Sequence, residues 1–123
     1  MPSKIKLSYA TQEDVSEFYG QAPLYSCRAV IARLDGKPVG LGGVYRVHNM
    51  MVLFSEIREP MKPYKKDIIR ACRMVLEIVK RYSIVVSYPD PEQITSETFG
   101  KHFGFESTGF KNENREMMVR VNK

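Results

Sequence analysis

The stretch from Met50 to Arg81, MMVLFSEIREPMKPYKKDIIRACRMVLEIVKR, constrains this chain more than any other. It opens with a short apolar run, Met50 to Ile57, which carries Ser55 and Glu56 near its end. An apolar run of that length without clean alternation predicts a strand covered on both faces. Pro60 and Pro63 then interrupt regular structure. From Lys65 the period changes to that of a helix. Ile68, Ala71, Cys72, Val75, Leu76 and Val79 fall on one side, and Lys65, Lys66, Arg70, Arg73, Glu77 and Lys80 take most of the rest. A strand, a loop and a helix N-terminus in sequence make a place for an anion, because free backbone N–H groups and the positive end of the helix dipole meet there. Lys62, Lys65 and Lys66 add side-chain charge.

The rest of the chain supplies strands around this unit. Ile5 to Tyr9 alternates apolar and polar residues and reads as a first strand. Thr11 is a good N-cap for the helix that follows, and Asp14 gives an incomplete capping box, since Glu or Gln is the usual residue there. Val15 with Phe18 or Tyr19 makes the apolar side, and Gly20 is the stop. Arg28 to Leu34 and Lys37 to Arg46 are strands joined by Asp35-Gly36, a dipeptide that tolerates the positive φ of a type I′ turn. Gly40, Gly42 and Gly43 suggest a bulge or a close approach to the backbone, or else a twisted strand beneath a neighbour. Ser83 to Ser87 is a β-branched strand, Ile94 to Phe103 a short helix, and Ser107 to Phe110 and Glu116 to Val121 the last two strands. The order is β-α-β-β-β-α-β-α-β-β, antiparallel at first and parallel with a right-handed crossover around the long helix.

Length and charge bound the function. A chain of 123 residues, 43% hydrophobic, is expected to form one domain spanning residues 1–123. No apolar run approaches the ~18 residues of a membrane span. The segment MPSKIKLSYATQED has no apolar core of a secretory leader, so a cytoplasmic location is expected. Cys27 and Cys72 are expected to be free thiols in a reducing compartment, with Cys72 buried. The net charge of +5 favours anionic partners such as phosphates or a nucleotide cofactor. A nucleic-acid module is disfavoured, because the basic helix lacks interleaved exposed aromatics. His48 and His102 are isolated, and no Cys/His/Asp spacing matches a metal site. No G-x-S-x-G, Walker loop or dinucleotide G-x-G-x-x-G occurs.

Three motifs together resemble the GNAT superfamily of N-acetyltransferases. The first is the hairpin ARLDGKPVGLGGVYR, residues 32 to 46; the second is the strand-loop-helix described above, in the place of the family's coenzyme A motif. The third is Gln93-x-x-Ser96-x-x-Phe99-Gly100-x-x-Phe103-Gly104-Phe105, similar to the family's N-x-x-A-x-x-L-Y-x-x-L-G-F signature. The resemblance implies an α/β (α+β) GNAT-like fold, with a central mixed sheet of six to seven strands flanked by about three helices. It implies acetyl-CoA as cofactor without a metal, held by Phe54, Ser55, Lys62, Lys65, Lys66 and Gln93. The acceptor would be an amine of a small molecule or a protein. Acyl transfer from a thioester to an amine needs a base for the amine and an acid for the thiolate. Glu56 is the candidate base, raised in pKa by burial at the strand end; the alternative is an ion pair of Glu56 with Arg58, Lys62 or another cation at the strand mouth.

Two departures from the family pattern stand out. The family's diphosphate loop, R/Q-x-x-G-x-G/A, corresponds to Met61-Lys-Pro-Tyr-Lys-Lys66, which has no glycine and loses a donor at Pro63. The family's acid tyrosine falls on Gly100, which leaves Tyr88 and His102 as substitutes. These departures keep a second expectation open: a GNAT-like domain without catalysis, serving as a binding or structural component with protein partners. The short form, with DIIRACRMVLEIVKR and HFGFESTGF, also resembles small GNAT-like proteins of tailed bacteriophages, which implies a host-cytoplasmic or virion-associated protein.

Overall fold

The computed structural model describes residues 4–22, 26–88, 104–112 and 115–122. Seven strands and two α-helices follow in the order β1 (Ile5–Tyr9), α1 (Gln12–Tyr19), β2 (Cys27–Leu34), β3 (Lys37–Val47), β4 (Met50–Ile57), a 3-10 turn (Glu59–Met61), α2 (Lys65–Val79), β5 (Ile84–Ser87), β6 (Glu106–Asn112) and β7 (Arg115–Val121). They form one mixed sheet, β1-β2-β3-β4-β5-β7-β6, with β4 at its middle. Every pairing is antiparallel except β4 with β5. The expected third helix, Ile94 to Phe103, lies outside the described residues.

Local chemistry explains the joints. Asp35 and Gly36 have φ 52° and 83°, as a two-residue hairpin turn requires. A second two-residue turn, with His48 at φ 54°, joins β3 to β4, where the sequence places a turn between Val47 and Met50. Thr11 caps α1, and its box with Asp14 is complete: the Asp14 N–H donates to Thr11 Oγ1 at 3.1 Å and the Thr11 N–H donates to Asp14 Oδ2 at 2.9 Å. The shorter Asp side chain therefore closes a box expected to need Glu or Gln. Gly20 ends α1 in the left-handed region at φ 75°.

Helices α1 and α2 lie on opposite faces of the sheet. Val15 and Phe18 of α1 pack with Ala29, Ile31 and Leu41. Ile78 and Val79 of α2 pack with Val30, Val44, Val85, Phe105 and Met118. A third cluster joins Ile5, Ala32, Val39 and Met61 under the start of α2. The strands buried on both faces are thus β2 and β3, with Ala29 to Ala32 and Val39 to Val44 buried residue after residue. The expectation of such cover for β4 is corrected: Val52 is buried there, whereas Met50, Ser55 and Glu56 are exposed.

The helix face differs from the periodic expectation too. Ile78 is buried and Cys72 only half-buried, with both cysteines free and burial pushing each thiol's pKa up. Two glycines of β3 answer to close neighbours within the protein, Gly40 to a side chain and Gly43 to backbone. A bulge at Val39 shifts the register, pairing Ala32 with Gly40 and Arg33 with Pro38. A Cβ at Gly40 would stand 2.6 Å from Met61 Sδ, and one at Gly43 would stand 2.0 Å from the Arg28 carbonyl oxygen. Among the described residues no helix is long and apolar enough to cross a membrane.

Candidate active site

The parallel register between β4 and β5 pairs Met51 with Val85, Val52 with Val86 and Leu53 with Ser87, and ends there. β4 continues to Ile57 against β3, with Phe54 opposite Gly43 and Glu56 opposite Leu41. From Phe54 onward, the other edge of β4 has no strand against it among the described residues. This opening lies at the carboxyl ends of parallel strands joined by a crossover helix, where open α/β sheets place ligands. An extended arm laid along it would meet the main-chain polar groups of a strand. Tyr88, half-buried, is the first residue of the β5 side beyond the last pair.

Strand alternation sorts the side chains of β4. Leu53 joins the core on the α2 face, while Phe54 packs with Ile31 and Leu41 on the α1 face. Ser55 is on the α2 face, where a Cβ at Gly42 would meet both Ser55 and Val75 at 3.5 Å. Glu56 returns to the α1 face with Phe54. The fold therefore separates Ser55 from Glu56, although they are neighbours in sequence.

Glu56 is exposed, which corrects the expectation of burial at the strand end. Its expected ion pairs are absent as well. The Arg58 guanidinium sits 3.9 Å over the Phe18 ring and donates to the Phe18 and Pro38 carbonyls. Lys62 Nζ pairs with Glu59 at 2.5 Å. Tyr19, at the end of α1, has its phenol pKa pushed up by burial first and by the Glu56 carboxylate next. Tyr45 and Phe54 bring their rings to 5.6 Å on the same face. The sequence assigns neither Tyr19 nor Tyr45 a site role: Tyr19 reads only as a possible apolar-side residue of the first helix, and Tyr45 only as part of the hairpin motif.

The basic loop is a tight turn rather than a cradle. The amides of Met61, Lys62 and Tyr64 donate to the Arg58, Glu59 and Met61 carbonyls at 3.0, 3.1 and 2.9 Å, and Pro63 has no N–H. The amides of Lys65 and Lys66 open α2, where no earlier turn supplies an acceptor, and Tyr64 gives no side-chain cap. Both lysine side chains are exposed, and neither makes an ion pair among the described residues. Asp67 follows in the first turn, buried at 6% exposure and paired with Arg70 at 2.7 Å, a feature the apolar periodicity could not signal. The edge of β4 beyond Leu53, uncovered among the described residues, could take an extended chain by main-chain hydrogen bonds. A diphosphate would meet two lysine side chains and the start of a helix instead of a glycine loop.

Gln93, Gly100 and His102 lie outside the described residues. Of the third motif, Gly104 turns the chain at φ 84° and Phe105 is buried in the core beside Ile78 and Met118. Among the described residues no group of three or more His, Cys, Asp or Glu could hold a metal ion.

No family model matches the sequence, and no curated protein matches it. Solved structures do match the fold. The ribosomal-protein-S18-alanine N-acetyltransferase from Escherichia coli superposes with TM-score 0.66 at 10% identity, over 97% of this chain and 95% of that one. An acetyltransferase of the GNAT family from Streptococcus pneumoniae gives 0.65 at 10% identity, over 97% and 99%. The aminoglycoside acetyltransferase AAC(6')-Ib, solved with paromomycin and acetyl-CoA, gives 0.57 at 16% identity, over 97% and 94%. The architecture is the GNAT fold, as the motifs implied. None of the three bears on a likeness to bacteriophage proteins.

Proposed function

We propose that the protein is an acetyl-CoA-dependent N-acetyltransferase acting on an amine. The single observation that carries this reading is the end of the β4–β5 pairing at Leu53 and Ser87 beside Glu56, a carboxylate with no ion pair among the described residues. The fold is shared with acetyltransferases, but a fold hosts many functions, so the support lies in the site. No observation favours the reading without catalysis.

When bound, acetyl-CoA supplies a thioester carbonyl, at which a nitrogen–carbon bond forms as the carbon–sulfur bond breaks. The edge of β4 from Phe54 onward, which no described strand covers, orients an extended arm by main-chain hydrogen bonds. Lys65 and Lys66 offset phosphate charge at the mouth. Glu56 accepts the proton that the amine nitrogen gives up, and its exposure keeps it in contact with solvent to pass that proton on. Tyr88 stands at the end of β5 as the donor to the departing sulfur. Ser55 and Phe54 act through their backbone, since their side chains face the two sides of the sheet.

Calorimetric titration with acetyl-CoA, followed by an assay of thiol release across small amines and peptides with free N-termini, tests the proposal. Saturable binding and amine-dependent thiol release are expected. Binding without release at saturating acetyl-CoA across the panel would reject it.

A further inference from the structure

On the α1 face of the cleft, three aromatic side chains gather about one acid. Register places Tyr45 opposite Val52 and Gly43 opposite Phe54, so Tyr45 and Phe54 are diagonal neighbours, with rings 5.6 Å apart and tilted by 57°. Glu56 lies two residues further along β4 on the same face. Tyr19 overlooks this patch from the end of α1. Its ring meets Phe18 edge-on at 5.2 Å, and Phe18 is held in turn by the guanidinium of Arg58. Tyr19 is 45% exposed, and Tyr45 and Phe54 are half-buried. The rings therefore face partly toward water rather than being consumed by the core.

Charge is scarce on this shelf. Among the residues of β2, β3 and β4 on this face, Glu56 is the one acid. Of the three acids of α1, Asp14 and Glu17 are committed to Arg33, at 2.8 and 2.9 Å, and Glu13 stands in the first turn, at the opposite end of the helix from Tyr19. The whole chain carries +5. A ligand with several ammonium groups would find a carboxylate for one and repulsion for the others. A single ammonium can pair with Glu56 while its stem covers ring faces, which attract both apolar surface and cations.

Resting on the acetyltransferase reading for its chemistry, we infer that this shelf is the acceptor site and selects monoamines on an apolar stem over polycations. In this respect it departs from AAC(6')-Ib, whose solved complex holds paromomycin.

The test compares phenethylamine, spermine and paromomycin, first as ligands and then as acceptors. Phenethylamine is expected to shift the ring signals of Tyr19 and Tyr45 in NMR titrations, and the two polycations to leave them unmoved. In the assay, kcat/KM for phenethylamine should exceed that for either polycation by about tenfold or more, the scale set by one well-matched apolar contact surface. Tyr19→Ala should raise KM for phenethylamine about tenfold with kcat nearly unchanged, the pattern of lost uniform binding, and Tyr19→Phe should restore it. Equal or better turnover of spermine or paromomycin would overturn the inference while leaving acetyl transfer intact. Ring shifts with phenethylamine that vanish in Tyr19→Ala, in a protein that transfers no acetyl group, would uphold the shelf and reject the reaction. Phenethylamine shifts absent, or Tyr45 ring shifts unaltered in Glu56→Gln and Tyr19→Ala, would also overturn it.

Discussion

Leu53 and Ser87 form the last rung of the sheet's one described parallel pairing, and Glu56 follows three residues beyond it on a strand edge that no other described strand covers. The placement makes Glu56 a group whose loss can be separated from loss of fold. Glu56→Gln keeps size and hydrogen bonding and removes basicity. Turnover should fall by about 10²-fold or more with acetyl-CoA affinity nearly unchanged. Steady-state kinetics beside calorimetry checks this, and a drop in affinity as large as the drop in rate would place Glu56 at the cofactor instead.

Cofactor affinity should depend strongly on salt. With the loop amides spent on their own turn, Lys65 and Lys66 supply most of the charge that meets a diphosphate. Exposed charges are screened over ~8 Å at physiological ionic strength. Replacing both with alanine should weaken binding by about tenfold at low salt and flatten the salt dependence. Calorimetry at two ionic strengths measures both quantities, and tight, salt-insensitive binding would assign the phosphates to backbone donors.

Acid should loosen α1 before the rest of the domain. Asp14 is held below the usual carboxylate range by the Thr11 backbone N–H first and by Arg33 next, and Glu17 is lowered by its hydrogen bond to Arg33. Carboxylates whose folded pKa is depressed stabilise the fold fully above their unfolded values. That contribution is lost as pH falls below about 5 and through the lowered folded values. Arg33→Ala should lower stability at neutral pH by up to about 1 kcal/mol. It should also reduce, without abolishing, the acid sensitivity, because the Thr11 contact remains. Thermal melts of both proteins between neutral and acid pH decide the matter, and parallel curves would show that Arg33 does not set the acid response.

Two neighbouring glycines should behave differently. A Cβ at Gly43 would overlap the β2 backbone, with Arg28 O at 2.0 Å and Ala29 Cα at 2.6 Å, whereas one at Gly42 meets ordinary contacts at 3.5 Å. Gly43→Ala should cost more than about 2 kcal/mol and Gly42→Ala less than about 1 kcal/mol. Chemical denaturation of the two variants measures the contrast, and equal losses would mean that β2 yields at no cost.

The architecture was legible wherever the local pattern and the turn chemistry agreed. Asp35-Gly36, the change of period after Pro63 and the β-branched run before Tyr88 each predicted the element that forms. Burial was less legible. The apolar run of β4 looked like the strand covered on both faces, but β2 and β3 hold that place, because α1 packs on them from the face opposite α2. Helical periodicity could not expose Asp67, a charged residue buried by its position in the first turn. The site was half legible: Glu56 and the lysines stood out by motif, while Tyr19 and Tyr45 reach the cleft only through strand register and the short α1.

The turn at His48 and the one at Asp35-Gly36 make β2, β3 and β4 a continuous antiparallel meander, whose contacts close over short loops. β5 reaches β4 only after the chain has traversed α2. Loop-closure entropy delays such long connections relative to local ones. The cleft is therefore a seam between an early-assembled half and a later one. A molecule seated in it bridges both halves, so occupancy should raise the unfolding midpoint by joining them and not only by mass action at a preformed surface. Amides of β5 should then gain more hydrogen-exchange protection on binding than amides of β3, which lies inside the locally connected meander.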